Sequence, residues 1–220
     1  MYNYVKHIFS ALARTIAIPF CAYCHILLSN DAVLCVACAA RITPIVSTTI
    51  ALTPSKSMKV IAISDYKDPV RSLILAKSSA NIAAACQLGQ LIWEYTPIKH
   101  MPCDVIVPVP LHWTRYAWRG YNQAEEMARV VARNLQKPVV SLVRRTHKTE
   151  FQSKIPFASR HDNVRDVFQL SVGTPNLYCG KHIIIVDDLM TSGATIRMVA
   201  RELSKMQPAS LTAVVACRVL

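Results

Sequence analysis

Two groups of residues in this chain have the types and spacing to do chemistry. The first is a set of four cysteines, Cys21-Ala-Tyr-Cys24 and Cys35-Val-Ala-Cys38. Thiolates three residues apart reach one ion from the same side of a tight turn, and two such pairs complete a tetrahedral shell. Four thiolates leave no place for water, so Cys21, Cys24, Cys35 and Cys38 read as a structural zinc site. Two disulfides would need an oxidising compartment, and a redox pair would not need duplicating. The knuckles hold too few apolar residues for a core, so metal would supply much of the local folding energy. The remaining cysteines, Cys86, Cys103, Cys179 and Cys217, lie in apolar surroundings and read as packing residues.

The second group is Ile183-Ile184-Ile185-Val186-Asp187-Asp188-Leu189-Met190-Thr191-Ser192-Gly193-Ala194-Thr195. A hydrophobic strand ends in two carboxylates, and a loop of small residues then opens a helix. Loop amides and a helix N-terminus suit a phosphate monoester, and Thr191, Ser192 and Thr195 add hydroxyls. Gly193 lets the backbone approach a ligand closely. Asp187 and Asp188 would repel the phosphate if they faced it. They suit neighbouring sugar hydroxyls, or a hydrated Mg2+ held through those hydroxyls. The Gly-Lys-Ser/Thr ending of a Walker loop is absent, as is the G-x-G-x-x-G turn of dinucleotide folds. The seven histidines suggest no nucleophile–base pair.

Positive charge is concentrated between these groups and the chain's middle. The net charge is +12, and residues 115–165 hold eleven Lys/Arg against four acids. A partner rich in phosphate fits that excess. Candidates for nucleic-acid phosphates are Arg115, Arg119, Arg144, Arg145, Lys148, Lys154 and Arg160. Aromatics interleave with the cations at Trp113, Tyr116, Trp118 and Tyr121, a combination that suits single strands; packing of Trp118 and Tyr121 in the core is the competing reading.

The elements that must position these residues alternate strand and helix. Strands are expected at Val60–Ile63, Val105–Val109, Val139–Val143, Ile183–Val186 and Leu211–Cys217. Helices are expected over Asn81–Tyr95, with Ile82, Cys86, Gly89, Ile92 and Trp93 on one face, after Asn122, and from Ser192 to Met206. Asn122 reads as a cap, with Glu125 as the capping-box acid. Met127, Val130, Val131 and Leu135 form the stripe of the second helix. Residues 144–165 lack periodicity and suggest a long loop or hairpin. Such apolar strands, buried on both faces, describe an α/β domain with a mainly parallel sheet, whose ligands bind beyond the carboxyl ends of the strands. Residues 1–42 form the expected four-cysteine zinc-finger module. Residues 43–59, rich in Ser, Thr and Pro, form a linker, and 60–220 form the α/β domain.

The thirteen-residue segment resembles the PRPP-binding motif of type I phosphoribosyltransferases. That resemblance assigns the ribose hydroxyls to Asp187 and Asp188, and the 5-phosphate to Thr191, Ser192, Gly193, Ala194 and Thr195. Pro108 and Val109, at the end of an earlier strand, stand where the family has its pyrophosphate loop. Asp104-Val105-Ile106-Val107-Pro108-Val109-Pro110-Leu111, with Arg119-Gly120-Tyr121-Asn122-Gln123, is similar to the ComF/GntX competence proteins. So are Thr149-x-x-Gln152, Arg160-x-x-Asn163 and Phe168, and the four cysteines. Tyr66, Arg71 and Lys77 match an earlier segment in part, with Asp68 where Gly is usual. The resemblance spans about residues 20–220.

It implies a type I phosphoribosyltransferase-like fold with a small N-terminal zinc finger, and Mg2+ accompanying PRPP. Arg119 ranks first among the cations for pyrophosphate. The implied role is a cytoplasmic competence factor for natural transformation, handling incoming single-stranded DNA, with PRPP or a related phosphosugar as ligand. The alternative is an active phosphoribosyltransferase with a nitrogenous acceptor. A further reading gives the zinc module a protein partner, such as a DNA-uptake factor or helicase.

Composition narrows the classes. With 52% hydrophobic and 17% charged residues in 220, the chain is neither a disordered tail nor a coiled coil. No apolar run reaches the length of about 18 residues that reads as a transmembrane helix. Met1–Phe20 reads as an amphipathic lead-in and not an export signal, because Arg14 interrupts its apolar run.

Overall fold

The computed structural model describes residues 19–43, 47–54, 56–76, 81–111, 113–146, 167–171 and 177–219. Its centre is a five-stranded sheet of β1 (Thr48–Thr53), β2 (Lys56–Asp65), β3 (Val105–Pro108), β6 (His182–Met190) and β7 (Ser210–Arg218), in the order β1-β2-β7-β6-β3. The four strands from β2 to β3 run parallel, and β1 folds back antiparallel at the edge. Val105–Pro108, Ile183–Val186 and Ala213–Cys217 are buried at every position. Continuous burial means that both faces of the sheet are covered.

The helices are α1 (Val36–Ala39), α2 (Val70–Ala76), α3 (Ile82–Tyr95), α4 (Trp113–Arg119), α5 (Gln123–Leu135) and α6 (Ala194–Ser204). Helix α3 packs on α5, and both reach the sheet. Helix α6 packs with β1, β6, β7 and a small antiparallel ribbon of β4 (Val143–Arg145) and β5 (Phe168–Leu170).

Sequence signals explain the ends of these helices. The Asn81 side chain accepts from the Ala84 amide at 3.1 Å and starts α3. Asn122 caps α5 by accepting from the Ala124 amide at 3.2 Å. Glu125 makes an ion pair with Arg129 at 2.6 Å, the i,i+4 partner that competes for a capping-box acid. Helix α5 ends where Gln136 turns left-handed, with φ +54°.

Several expected elements shift. Residues 43–59, read as a linker, contain β1 and the start of β2, which pair with a register shift between Ala51 and Thr53. Ile50 and Leu52 of β1 are buried, so this Thr-rich stretch has the alternation of an edge strand. The expected strand Val139–Val143 divides. Val139 makes an isolated parallel bridge to Ile106, and Val143 begins the ribbon. The break lies where the Leu142 amide turns back to the Val140 carbonyl at 3.0 Å. In α3 the buried residues are Ala84, Ala85, Leu88, Gly89, Leu91 and Ile92, while Ile82 is exposed. The stripe is wider than one face because α3 touches both the sheet and α5.

The four-cysteine module is not spatially separate from the sheet. Val33, Leu34, Cys38 and Ile42 join the same contiguous core as the strands.

Gly89 marks the closest approach of α3 and α5. A Cβ there would lie 2.8 Å from the Met127 carbonyl oxygen and 2.9 Å from Val130 Cβ. Gly89→Ala is therefore expected to lower stability by about 1–3 kcal/mol, despite the ~1 kcal/mol advantage of Ala over Gly in a helix interior. Urea unfolding checks this; an equal or higher midpoint would mean that the helices separate at no cost.

Candidate functional site

The parallel register decides what meets at the carboxyl edge of the sheet. β3 and β6 align with Pro108 opposite Val186. The Val109 amide donates to the Val186 carbonyl at 2.9 Å, which brings Val109 to the level of Asp187. The side chain of Asn122 donates to the Val109 carbonyl at 3.1 Å, so the cap of α5 also holds this turn. Pro108 and Val109 thus adjoin the acid pair across one strand spacing.

Asp187 and Asp188 are both half-exposed, and the Asp188 amide donates to Asp187 Oδ1 at 2.9 Å. The strand that carries them extends beyond the expected Val186 to Met190, because β7 continues pairing to Arg218 and the Val219 amide donates to Met190 O at 2.8 Å. Thr191, Ser192 and Gly193 then turn the chain into α6. Gly193 sits at the cap position with φ +71°, a conformation that a side chain would strain. The loop is open: Thr191, Ser192, Ala194 and Thr195 are exposed. Five of the expected ligand positions, from Thr191 to Thr195, therefore surround the N-terminus of an eleven-residue helix beside two carboxylates.

The cations divide. Arg119 ends α4, where its Cζ lies 5.9 Å from the centroid of the Trp118 ring. Its Nε is buried with no protein partner among the described residues. Gln123, at the start of α5, is 3% exposed, and its Nε2 is in the same condition. Buried donors are seldom left unmatched, so a bound ligand is one partner that would satisfy them. Arg144 and Arg145 come from β4. Arg144 donates to Gln169 Oε1 at 3.3 Å, and Arg145 lies over Phe168 with Cζ 5.5 Å from the ring centroid. Both line a cleft of about 300 Å3 together with Pro108, Pro110, Trp113 and Tyr116. Arg115 belongs to α4, but its side chain lies outside the described residues, as do Lys148, Lys154, Arg160, Thr149, Gln152, Asn163 and Lys77.

The aromatic run separates as well. Tyr121 is core, 5% exposed, and burial pushes its phenol up. Trp113, Tyr116 and Trp118 are 70%, 50% and 77% exposed. Packing accounts for Tyr121 and not for Trp118.

Residues at the ends of β2 and β7 escaped the sequence reading. Asp65 and Arg218 form an ion pair at 3.5 Å, and Ser64 is buried beside them with its hydroxyl donating to Asp65 O at 2.8 Å. A second cleft of about 100 Å3 joins Asp65, Lys67 and Asp68 to Arg41 and Ile42 of the cysteine module. The signal was present in Ile61-Ala62-Ile63-Ser64-Asp65, an apolar strand ending in an acid just as β6 does.

The four cysteine sulfurs lie within 4.8 Å of one another, with Cys24 and Cys35 Sγ 3.7 Å apart. A tetrahedron with Zn–S bonds of about 2.3 Å has edges of about 3.8 Å, so the cluster fits that ion. Cys21 and Cys38 are buried, and Cys24 is exposed. Burial opposes ionisation of Cys21, but the backbone amides of Cys24, Cys35 and Tyr23 together outweigh it and bring the thiol to about 6. Burial and the three neighbouring cysteines push Cys38 up to about 12. Thiols so close together cannot all ionise without a cation between them. A soft divalent ion would supply that charge.

Several known proteins are similar to this chain. The model of the phosphoribosyl transferase domain family matches residues 117–220, which include α5, β6, the acid pair and α6. The chain is 28% identical over 156 residues to Competence protein F of Haemophilus influenzae, covering 67% of this chain and 67% of that protein. It is 30% identical over 176 residues to DNA utilization protein YhgH of Escherichia coli K12, covering 76% of this chain and 75% of that protein. Against Competence protein ComFC of Bacillus subtilis it is 35% identical over 106 residues, 48% of this chain and 39% of that protein.

Elemental analysis of the purified chain is expected to find about one zinc per chain, as a closed four-thiolate site requires. Cys21→Ser is expected to lower that content and to loosen the N-terminal module. Full zinc occupancy in the variant would disprove the four-thiolate site.

Proposed function

The chain belongs to the family of Competence protein F and the DNA utilization protein YhgH, and on that premise we propose that it is a cytoplasmic competence factor that handles incoming single-stranded DNA in natural transformation, under the control of a phosphosugar site. The observation that carries the site is the meeting of Pro108–Val109 with Asp187–Asp188 and the Thr191–Thr195 loop at one sheet edge. In this reading Asp187 and Asp188 accept hydrogen bonds from the ribose hydroxyls of PRPP or a related phosphosugar. The Thr191–Thr195 loop holds the 5-phosphate with its amides and hydroxyls. Arg119, whose buried Nε has no protein partner among the described residues, serves the pyrophosphate. Mg2+ arriving with PRPP would offset the charge of the pyrophosphate. Zinc in the four-cysteine cluster keeps the N-terminal module folded, and that module adds a surface for a protein of the uptake machinery, such as a helicase.

Three observations support the DNA half of the reading: the names of the relatives, the net charge of +12, and two arginines of β4 facing a cleft beside the acid pair's neighbour Pro108. Among the described residues no helix is long and apolar enough to cross a membrane. A second reading, an active phosphoribosyltransferase, is favoured by the complete Asp187-Asp188 motif and its loop. There a nitrogen of the acceptor attacks C1 of the phosphosugar and pyrophosphate leaves. Pyrophosphate release that depends on an added acceptor would select it.

Asp187→Ala combined with Asp188→Ala is expected to weaken Mg-PRPP binding by at least about 100-fold in calorimetry, since two charged acceptors are lost. Unchanged affinity would remove the site. Anisotropy of a labelled single-stranded oligonucleotide is expected to show micromolar or tighter binding at physiological salt. The affinity should fall steeply as salt rises and change when Mg-PRPP is added. Absence of binding at moderate salt would shift the assignment to the transferase.

A further inference from the structure

The Thr191–Thr195 loop carries no charged side chain; every residue from Leu189 to Ile196 is neutral. The N-terminus of α6 supplies about half a positive charge. A phosphate monoester brings about two negative charges. A cation within reach of the loop would close that gap. Helix α6 holds two arginines four residues apart, Arg197 and Arg201, which share one side of the helix.

The two are engaged differently. Arg201 donates from Nε to the Leu52 carbonyl of β1 at 2.7 Å, so it fastens the helix to the edge strand. Arg197 sits one turn closer to the loop, and its amide donates to the Gly193 carbonyl at 2.9 Å. Its Nε is buried without a partner among the described residues, while the residue as a whole is half-exposed. Helix side chains lean toward the N-terminus, so a guanidinium at 197 covers the turn that begins at Gly193. Ile50 of β1 lies against that turn, 3.7 Å from where a Cβ on Gly193 would stand, and β1 contains no acid. The other charges of this region are matched. Glu202 pairs with Lys205 at 2.7 Å, and Arg218, opposite Met190 in the sheet, pairs with Asp65 at 3.5 Å.

A buried donor is seldom left unmatched, and the planar fork of an arginine fits two oxygens of one phosphate. We propose that Arg197 binds the 5-phosphate of the phosphosugar, donating from Nε and one Nη to two of its oxygens, and so makes the site select a phosphorylated sugar. The proposal rests on the phosphosugar reading and adds a charged residue that the motif resemblance leaves unassigned.

Calorimetry with two probes, ribose 5-phosphate and Mg-PRPP, tests it. Arg197→Gln keeps part of the stem and removes the charge. It is expected to weaken both probes by a similar factor, at least about tenfold, because both carry the 5-phosphate. Its melting temperature is expected not to fall below that of the wild type. Arg197→Lys restores the charge without the fork and is expected to recover part of the loss. Arg201→Gln removes an equal charge one turn away; it is expected to melt earlier and to bind both probes as the wild type does. A wild-type chain that binds the probes, with an Arg197→Gln chain that binds ribose 5-phosphate equally well, would overturn the role of Arg197 and leave the phosphosugar site standing. Equal losses in Arg197→Gln and Arg201→Gln would also overturn that role, as an effect of net charge alone. A wild-type chain that binds neither probe would overturn both readings.

Discussion

The alignment of β3 against β6 is the constraint on which the rest of the site depends. It is pinned at both ends. At the amino end, Asp104 accepts from the His182 amide at 2.8 Å, and its own amide donates to His182 O at 2.8 Å. That amide contact holds the Asp104 carboxyl below its usual range. At the carboxyl end, the Val109 amide reaches Val186 O at 2.9 Å. A parallel pair displaced by one residue would move every buried Ile and Val to the opposite covered face of the sheet, against neighbours whose packing it does not fit. The cost of that displacement keeps Pro108 and Val109 beside Asp187.

Helix α5 converts this register into a site. Its cap, Asn122, spends its carbonyl on the Ala124 amide and its amide group on Val109 O. One side chain therefore starts a helix and ties it to a strand end. The left-handed turn at Gly120, with φ +78°, joins α4 to α5, and Trp113 and Tyr116 of α4 line a cleft with Pro108 at that strand end. Arg119 Nε and Gln123 Nε2, at the same junction, are buried without a partner among the described residues.

The cysteine module and the sheet share one hydrophobic core, which ties metal binding to the larger domain. Val33, Leu34 and Ile42 are too few to hold the knuckles alone, but packed on the sheet they give the cluster a fixed position. The cleft between Arg41 and Asp65 lies at this junction, at the same edge of the sheet as the acid pair. Ordering of the module by a metal would therefore reach the carboxyl edge through packed residues and not through a flexible tether.

Local chemistry determined much of this protein. The cysteine spacing announced a tetrahedral cluster, because two CxxC turns carry their geometry with them. The apolar strands, the caps at Asn81 and Asn122, and the acid pair with its glycine turn were legible for the same reason: each is a pattern within a few residues. What needed the tertiary structure was every choice between partners far apart in sequence. Thr48–Thr53 has the composition of a linker and becomes an edge strand only because β2 is there to pair with it. Ile82 fits the apolar period yet faces water, because the position of α5 decides which side of α3 is covered. Tyr121 and Trp118 are three residues apart and chemically alike, but packing buries one and leaves the other exposed. Asp65 and Arg218 become neighbours only when β2 and β7 align. Periodicity ranks residues by what they can do locally; the register of the sheet decides which of them meet.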